Sequence, residues 1–234
     1  MSKTSKRIAI IQSCYIPWRG FFDFLDRVDE YIIFDDVQYA RRHWHNRNKI
    51  KTAQGPAWLT IPVLSKGSFE QNIDEVAVTG PWAQQHWRSI HHAYGKAQHF
   101  KAYAPQIEAL FEQAGALDRL SHVNHVFLSQ LAGILGIATP MRWSSEFAVE
   151  GRKTDRLVAL CKAANATHYL AGPSSRDYIE PEKFSDANVV LEYMDYAGYP
   201  EYPQLHGAFE PSVSVLDLLF NTGPDALHYI RRGR

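Results

Sequence analysis

The chain has 234 residues, 45% of them hydrophobic and 21% charged, enough to build its own core; a disordered tail and a small disulfide-held scaffold are excluded. Its 25 basic and 25 acidic residues cancel, which argues against a nucleic-acid or anionic-membrane partner held by the field of the whole molecule. Two cysteines, Cys14 and Cys161, offer neither a disulfide framework nor a zinc pattern. No run of about 18 apolar residues is present to cross a membrane, and MSKTSKR leads into no export-type apolar region. These features predict a cytoplasmic protein built over residues 1–234 as one large domain, or one domain with a small appendage.

The first segment reads β–loop–α–β. Arg7–Gln12 is an apolar β-type run, SCYIPWRG a loop, Phe21–Val28 a short helix, and Tyr31–Phe34 a second β-type run ending in Asp35-Asp36. That order predicts a parallel pair with a crossover helix. Ala40–Lys51 and Trp58–Val63 then suggest a hairpin closed by Gln54-Gly55-Pro56. Ser65–Gln71 reads as a polar loop and Ile73–Val78 as a strand.

Helices dominate next. Pro81 suits a first helical turn, and Ala83, Trp87, Ile90 and Tyr94 recur at helical spacing. Ile107, Leu110, Phe111 and Ala114 form a second stripe; Phe127, Leu128, Leu131, Ile134 and Leu135 form a third, started by Ser121. Asn124 falls in phase with that third stripe and therefore requires a partner or a ligand. Strands are expected at Ala138–Ser144, His168–Ala171 and Val189–Tyr193. Helices are expected from Thr154 through Ala164, from Ser212 or Ser214 through Phe220, and from Pro224; Tyr196–Phe209 reads as irregular. The alternation predicts an α/β fold with a mainly parallel sheet, a Rossmann-like three-layer core and an inserted helical region at about residues 81–135.

Five segments are dense in polar and aromatic residues: Ile10–Asp23 (IIQSCYIPWRGFFD), Asp35–Tyr39 (DDVQY), Trp44–Asn48 (WHNRN), Gly172–Tyr178 (GPSSRDY) and Tyr199–Gln204 (YPEYPQ). With Ser212–Gly223 (SVSVLDLLFNTG) they resemble the WbqC-like protein family of bacterial surface-polysaccharide gene clusters. Ser13 stands where that family usually has proline. The resemblance implies a cytoplasmic protein of O-antigen, lipopolysaccharide or related specialised biosynthesis, modifying a nucleotide-activated sugar, amino sugars included, as a transferase or ligase. GPSSRDY is also similar to the serine-serine-arginine ATP loop of nucleotidylyltransferases of the pantothenate-synthetase kind. However, Pro17-Trp18-Arg19-Gly20 lacks the histidine such enzymes use for adenylylation.

The residues themselves sort into roles. Carboxylates at a parallel strand end suit general-base or metal chemistry, so Asp35, Asp36 and Gln38 form the catalytic candidates. Adjacent residues on an extended strand face opposite ways, so only one of the two aspartates can face a cleft; the other caps a turn. Gln12, Tyr15, Trp18 and Gly20 form a candidate ligand loop, with Tyr39 beside it; a structural turn around a packed tryptophan is the alternative. Arg47 suits a bidentate anion clamp, flanked by Asn46 and Asn48, which share strand parity. Gly172, Ser174, Ser175, Arg176 and Tyr178 suit a phosphate-binding turn, or an ordinary N-cap. Tyr202 and Gln204 are candidates for an aromatic pocket wall or a sheet-edge cover. Asp217, on an apolar helix, requires partners and suits a positioning role, orienting Arg47 or a loop. Eleven histidines show no metal-ligand spacing, and no metal site is assigned.

The substrate is expected to bear phosphate, and cofactor candidates are a nucleotide or an acyl-coenzyme A, with or without magnesium. Other enzymes of the same pathway are candidate partners. Nucleic acid and membrane insertion are not expected. A non-catalytic module that binds a sugar nucleotide, or scaffolds its pathway, is the alternative to an enzyme.

Overall fold

A computed structural model describes residues 5–231 except 66, 68 and 69. Part of the loop expected at Ser65–Gln71, and the start of MSKTSKR, lie outside the described residues. In chain order the elements are β1 (Arg7–Ile11), α1 (Arg19–Asp26), β2 (Glu30–Ile33), β3 (Arg47–Thr52), β4 (Gly55–Thr60), β5 (Val63–Leu64), β6 (Ala77–Val78) and α2 (Trp82–Tyr94). There follow α3 (Phe100–Gly115), α4 (Leu120–Ile134), β7 (Met141–Trp143), α5 (Lys153–Ala163), β8 (His168–Ala171), α6 (Pro181–Asp186), β9 (Val190–Tyr193), α7 (Val215–Thr222) and α8 (Ala226–Ile230). They divide into two compact units, one of Met1–Gln12, Phe24–Asp36 and Ala138–Ala197, the other of Ser13–Asp23, Val37–Ile137 and Gly198–Arg234.

The first unit is a five-stranded sheet in the order β7-β2-β1-β8-β9. Every pairing in it is parallel, with Ile8 opposite Glu30, Arg7 opposite His168 and Tyr169 opposite Leu191. The three inner strands β2, β1 and β8 are largely buried and read as short apolar runs without polar alternation, whereas the edge strands β7 and β9 are more exposed. Ile8, Ile10, Ile32, Tyr169 and Ala171 share one face, as a period of two requires. Leu157, Val158, Leu160 and Cys161 of α5, and Phe184 of α6, cover that face. Phe184 stacks on Tyr169 at 5.2 Å between ring centroids. The strand after α4 is shorter than the apolar run suggests: it starts at Met141, and Thr139 instead ties its hydroxyl to the Leu25 carbonyl at 2.8 Å.

The second unit holds two hairpins and the helices α2, α3, α4, α7 and α8. The β3–β4 turn is tighter than expected. Thr52 pairs with Gly55, and Gly55 (φ 105°) and Pro56 belong to β4 rather than to the turn. Ile73–Val78 is not one strand: Ile73–Glu75 forms a 3₁₀ turn and only Ala77–Val78 pair. On α2 the buried stripe includes Trp82 and His86, while Trp87 is only half-buried. The core is aromatic: the Tyr15 ring meets Trp82 at 5.9 Å and Phe127 at 5.4 Å, both edge-on, the geometry ring quadrupoles favour.

Candidate functional site

The strand ends of the first unit hold the paired aspartates. Asp35 is buried, whereas Asp36 is partly exposed, as opposite orientations predict. Ser144 donates its hydroxyl to one Asp36 carboxylate oxygen at 2.5 Å. The Arg156 guanidinium pairs with the other oxygen and reaches the Asp36 carbonyl at 3.2 Å. Both oxygens of Asp36 thus accept charged or hydroxyl donors within the fold. Arg156, on α5, also lies 5.2 Å from the Phe34 ring centroid.

The strands β1 and β8 are neighbours, and each runs into a candidate segment. Gln12 follows β1, half-buried. Gly172–Tyr178 follows β8 as one 3₁₀ turn, Pro173–Asp177, and does not open a longer helix. Ser175 is buried and closes the turn, its hydroxyl donating to the Gly172 carbonyl at 2.6 Å. Ser174, Arg176 and Tyr178 face solvent. The Arg176 guanidinium lies 3.8 Å over the Tyr193 ring of β9, which aims an otherwise flexible side chain.

In the second unit, two of the motif segments interlock. The Trp44 carbonyl accepts the Tyr15 N–H at 3.0 Å, and His45 Nδ1 donates to the Ser13 carbonyl at 3.0 Å. Asn48 donates to the carbonyls of Tyr15 (3.0 Å) and Ile16 (2.9 Å), while its own oxygen accepts the Lys49 N–H at 2.7 Å. Asn124 donates to Ser13 Oγ and to the His45 carbonyl, each at 2.9 Å; this is the partner that its place on the α4 stripe demands. Ile16 sits at φ 34°, in the left-handed region that a β-branched side chain disfavours, so the grip of Asn48 holds a strained backbone. Asn46 likewise faces inward and donates to Ile61. Asn46 and Asn48 do share parity, but they face backbone rather than open space.

The remaining loop candidates are also built in. Tyr15 is fully buried, donating to His86 Nδ1 at 2.8 Å, and burial pushes its hydroxyl pKa well up. His86, which also donates to the Thr60 backbone, is lowered to about 4 by burial. His45 is lowered to about 4 for the same reason. His45 Nε2 is buried without a hydrogen-bond partner, and the Tyr39 ring lies 5.9 Å away. A Cβ on Gly20 would sit 2.3 Å from the Trp18 ring; the glycine admits the indole, as the structural-turn alternative requires. Arg19, buried, places its guanidinium 4.9 Å from the Tyr199 ring and donates to the Pro200 carbonyl at 2.6 Å. Gln38 is exposed and bridges Asn72. Arg47 is half-buried, with its guanidinium 4.3 Å from the Trp58 ring and bonded to the Arg42 carbonyl.

Tyr202 and Gln204 line no open wall. They surround Asp217, which is 0% exposed. Its Oδ1 accepts Tyr202 Oη and Gln204 Nε2, each at 2.8 Å. The buried Lys51 ammonium donates to Gln204 Oε1 at 2.6 Å. Burial raises the Asp217 carboxyl, opposed by those donors and by Lys51. Gln204 in turn holds Glu210 N at 2.8 Å, so Asp217 organises a loop and not Arg47.

His45, Ser13, Arg19, Lys51 and Arg156 are therefore functional or architectural residues that the sequence reading does not single out. For His45 and Ser13 the signal is their place inside the two motifs. Arg156 carries none, because its partner Asp36 lies 120 positions away. Among the described residues, no three His, Cys, Asp or Glu side chains cluster so as to hold a metal ion, and no helix is long and apolar enough to cross a membrane.

This is an α/β protein with motif residues at the ends of a parallel sheet in one unit and in a buried loop clamp in the other. The WbqC-like protein family model matches residues 12–229, and the chain belongs to that family. It is 44% identical over 227 residues to the uncharacterized protein Rv1507c of Mycobacterium tuberculosis, covering 97% of this chain and 98% of that one. No solved structure matches.

Proposed function

We propose that the protein is a cytoplasmic transferase or ligase that modifies a nucleotide-activated sugar, amino sugars included, in surface-polysaccharide or related specialised biosynthesis. The observation that carries this reading is the strand order. Numbered by appearance in the sheet, the strands run 3-2-1-4-5, the order of doubly wound Rossmann-like sheets. In such sheets ligands bind outside the carboxyl ends where the order reverses, here between β1 and β8. Gln12 and the Gly172–Tyr178 turn follow those two strands. Exposed Ser174 and the stacked Arg176 would bind the phosphates. With Asp36 ion-paired, Asp35 is the general base of this reading and Asp36 a positioning group. Family membership supports the pathway.

A thermal-unfolding screen of sugar nucleotides, nucleotides and acyl-coenzyme A compounds, with and without magnesium, tests it. A ligand at one hundred times its Kd should stabilise by about 2.7 kcal/mol. The shift should vanish in Arg176→Ala, and turnover, followed by mass spectrometry of the ligand, in Asp35→Asn. Ligand recovered intact with wild-type protein would leave a sugar-nucleotide-binding module; no shift from any compound would sink the nucleotide reading.

A further inference from the structure

The outer face of the β3–β4 hairpin carries a feature that the reading above leaves unused. Register places Arg47 opposite Thr60 and Lys49 opposite Trp58, so all four side chains share one face. Trp58 is 45% exposed and Trp44 40%, the two largest exposed apolar side chains among the described residues of this unit. Their rings lie 5.3 Å apart at 37°, a shallow two-indole ledge. The Arg47 guanidinium is 4.3 Å, and the Lys49 ammonium 5.2 Å, from the Trp58 ring. His43, Arg41 and Arg42 are exposed in the same segment.

The ledge is anchored from beneath. The Trp44 carbonyl holds the buried Tyr15 N–H, and the Lys49 carbonyl accepts Ser214 N–H at 2.8 Å. Arg47 is fixed by the Arg42 carbonyl and the Trp58 face together. A rigid aromatic surface loses little entropy on binding, so its exposure is more useful for a ligand than costly for folding.

We propose that the Trp44–Trp58 ledge binds a pyranose ring that carries an anionic substituent. Indole faces stack on the apolar C–H face of a sugar and leave its hydroxyl edge in water. Arg47 and Lys49 lie over the Trp58 ring, where they meet a carboxylate or a phosphate on a sugar seated against the Trp44 side of the ledge. Carboxylate and phosphate share this chemistry, so either a uronic acid or a sugar phosphate fits. A nucleic-acid strand also stacks on aromatics, and Arg41, Arg42, Arg47 and Lys49 offer it local cations, but the zero net charge of the chain supplies no wider field to hold a polyanion. The proposal does not rest on the nucleotide reading at the sheet ends.

The test uses the full chain, labelled for observation of tryptophan indole N–H signals. Four probes are titrated: a glucuronate trisaccharide, glucose 1-phosphate, a neutral glucose trisaccharide and an oligothymidylate. The expected result is movement of the Trp44 and Trp58 signals by an anionic saccharide, at least tenfold tighter than by the neutral one. The first two probes distinguish carboxylate from phosphate. Affinity should fall at least tenfold in Trp58→Ala, in Trp44→Ala and in Arg47→Gln. Since Trp44 and Trp58 are surface side chains, unchanged thermal unfolding is expected for at least one tryptophan variant, which keeps the result readable. Binding of neither anionic saccharide, equal binding of the neutral one, or tighter binding of the oligothymidylate would each overturn the proposal.

Discussion

The segment after β1 and the turn after β8 both leave parallel strands and both carry motif residues, yet they are built in opposite ways. Residues 13–18 are held by Trp44, His45, Asn48 and Asn124, with Ile16 at a left-handed angle. The Gly172–Tyr178 turn closes on itself through Ser175 and leaves Ser174, Arg176 and Tyr178 in solvent. Polar motif residues therefore have two uses here. In the first segment they satisfy backbone and fix a strained path; in the second they remain available to a ligand. Substitutions in the first should cost stability; those in the second should leave stability unchanged and, under the proposed function, cost binding.

The largest effect should come from acid. Burial holds His45 and His86, both in the clamped region, at about 4, while an unfolded histidine titrates near 6.5. The unfolded chain therefore takes up protons first as pH falls. Stability contributed by the two neutral rings is complete above about pH 6.5 and is lost on descending to about pH 4, on the order of 3 kcal/mol per histidine. Urea unfolding at pH 7.5, 6 and 4.5 measures it. A flat profile through this window would mean that the rings are not buried neutral.

Asn48→Ala should come next. It removes three hydrogen bonds and leaves the Tyr15 and Ile16 carbonyls buried without those donors, at a cost of roughly 2–4 kcal/mol by denaturant unfolding. An effect below about 0.5 kcal/mol would show the loop to be self-supporting and return Asn48 to the list of ligand contacts. Gly20→Ala should cost less, roughly 1–3 kcal/mol, since its Cβ must displace the Trp18 ring from a 2.3 Å approach. A paired Trp18→Ala change should relieve that clash, so the double variant should lose less than the two single losses added together.

The β–α–β opening, β8 and the helical stripes were legible because each is a local pattern: HYLA is a buried apolar run, and Ile107, Leu110, Phe111 and Ala114 keep helical spacing. Turn details were not. Pro56 entered β4 because its missing N–H costs nothing where no pairing partner demands it. The candidate site was legible as a set of segments but not as contacts. Parity correctly put Asn46 and Asn48 on one side, yet nothing local reveals that this side faces the carbonyls of Tyr15 and Ile16, some 32 residues earlier. Asp217 advertised its need for partners, while Tyr202 and Gln204, which meet that need, read as pocket wall.

The smallest effect on stability, and the sharpest on the comparison, should be Arg176→Ala. The guanidinium is exposed and rests on one ring, so its removal should change unfolding free energy by no more than about 0.5 kcal/mol. Stacking of an exposed cation on tyrosine contributes little in water. Under the proposed function the same change abolishes stabilisation by a sugar nucleotide, because the stacked geometry that costs the fold almost nothing is what aims the guanidinium at a phosphate. Arg176→Lys separates charge from shape: the ammonium keeps the charge but loses the planar contact with Tyr193. If shape matters, ligand-induced stabilisation in Arg176→Lys should fall close to that of Arg176→Ala. Retention of most of it would mean that any cation suffices after β8, and that Tyr193 plays no part in aiming it.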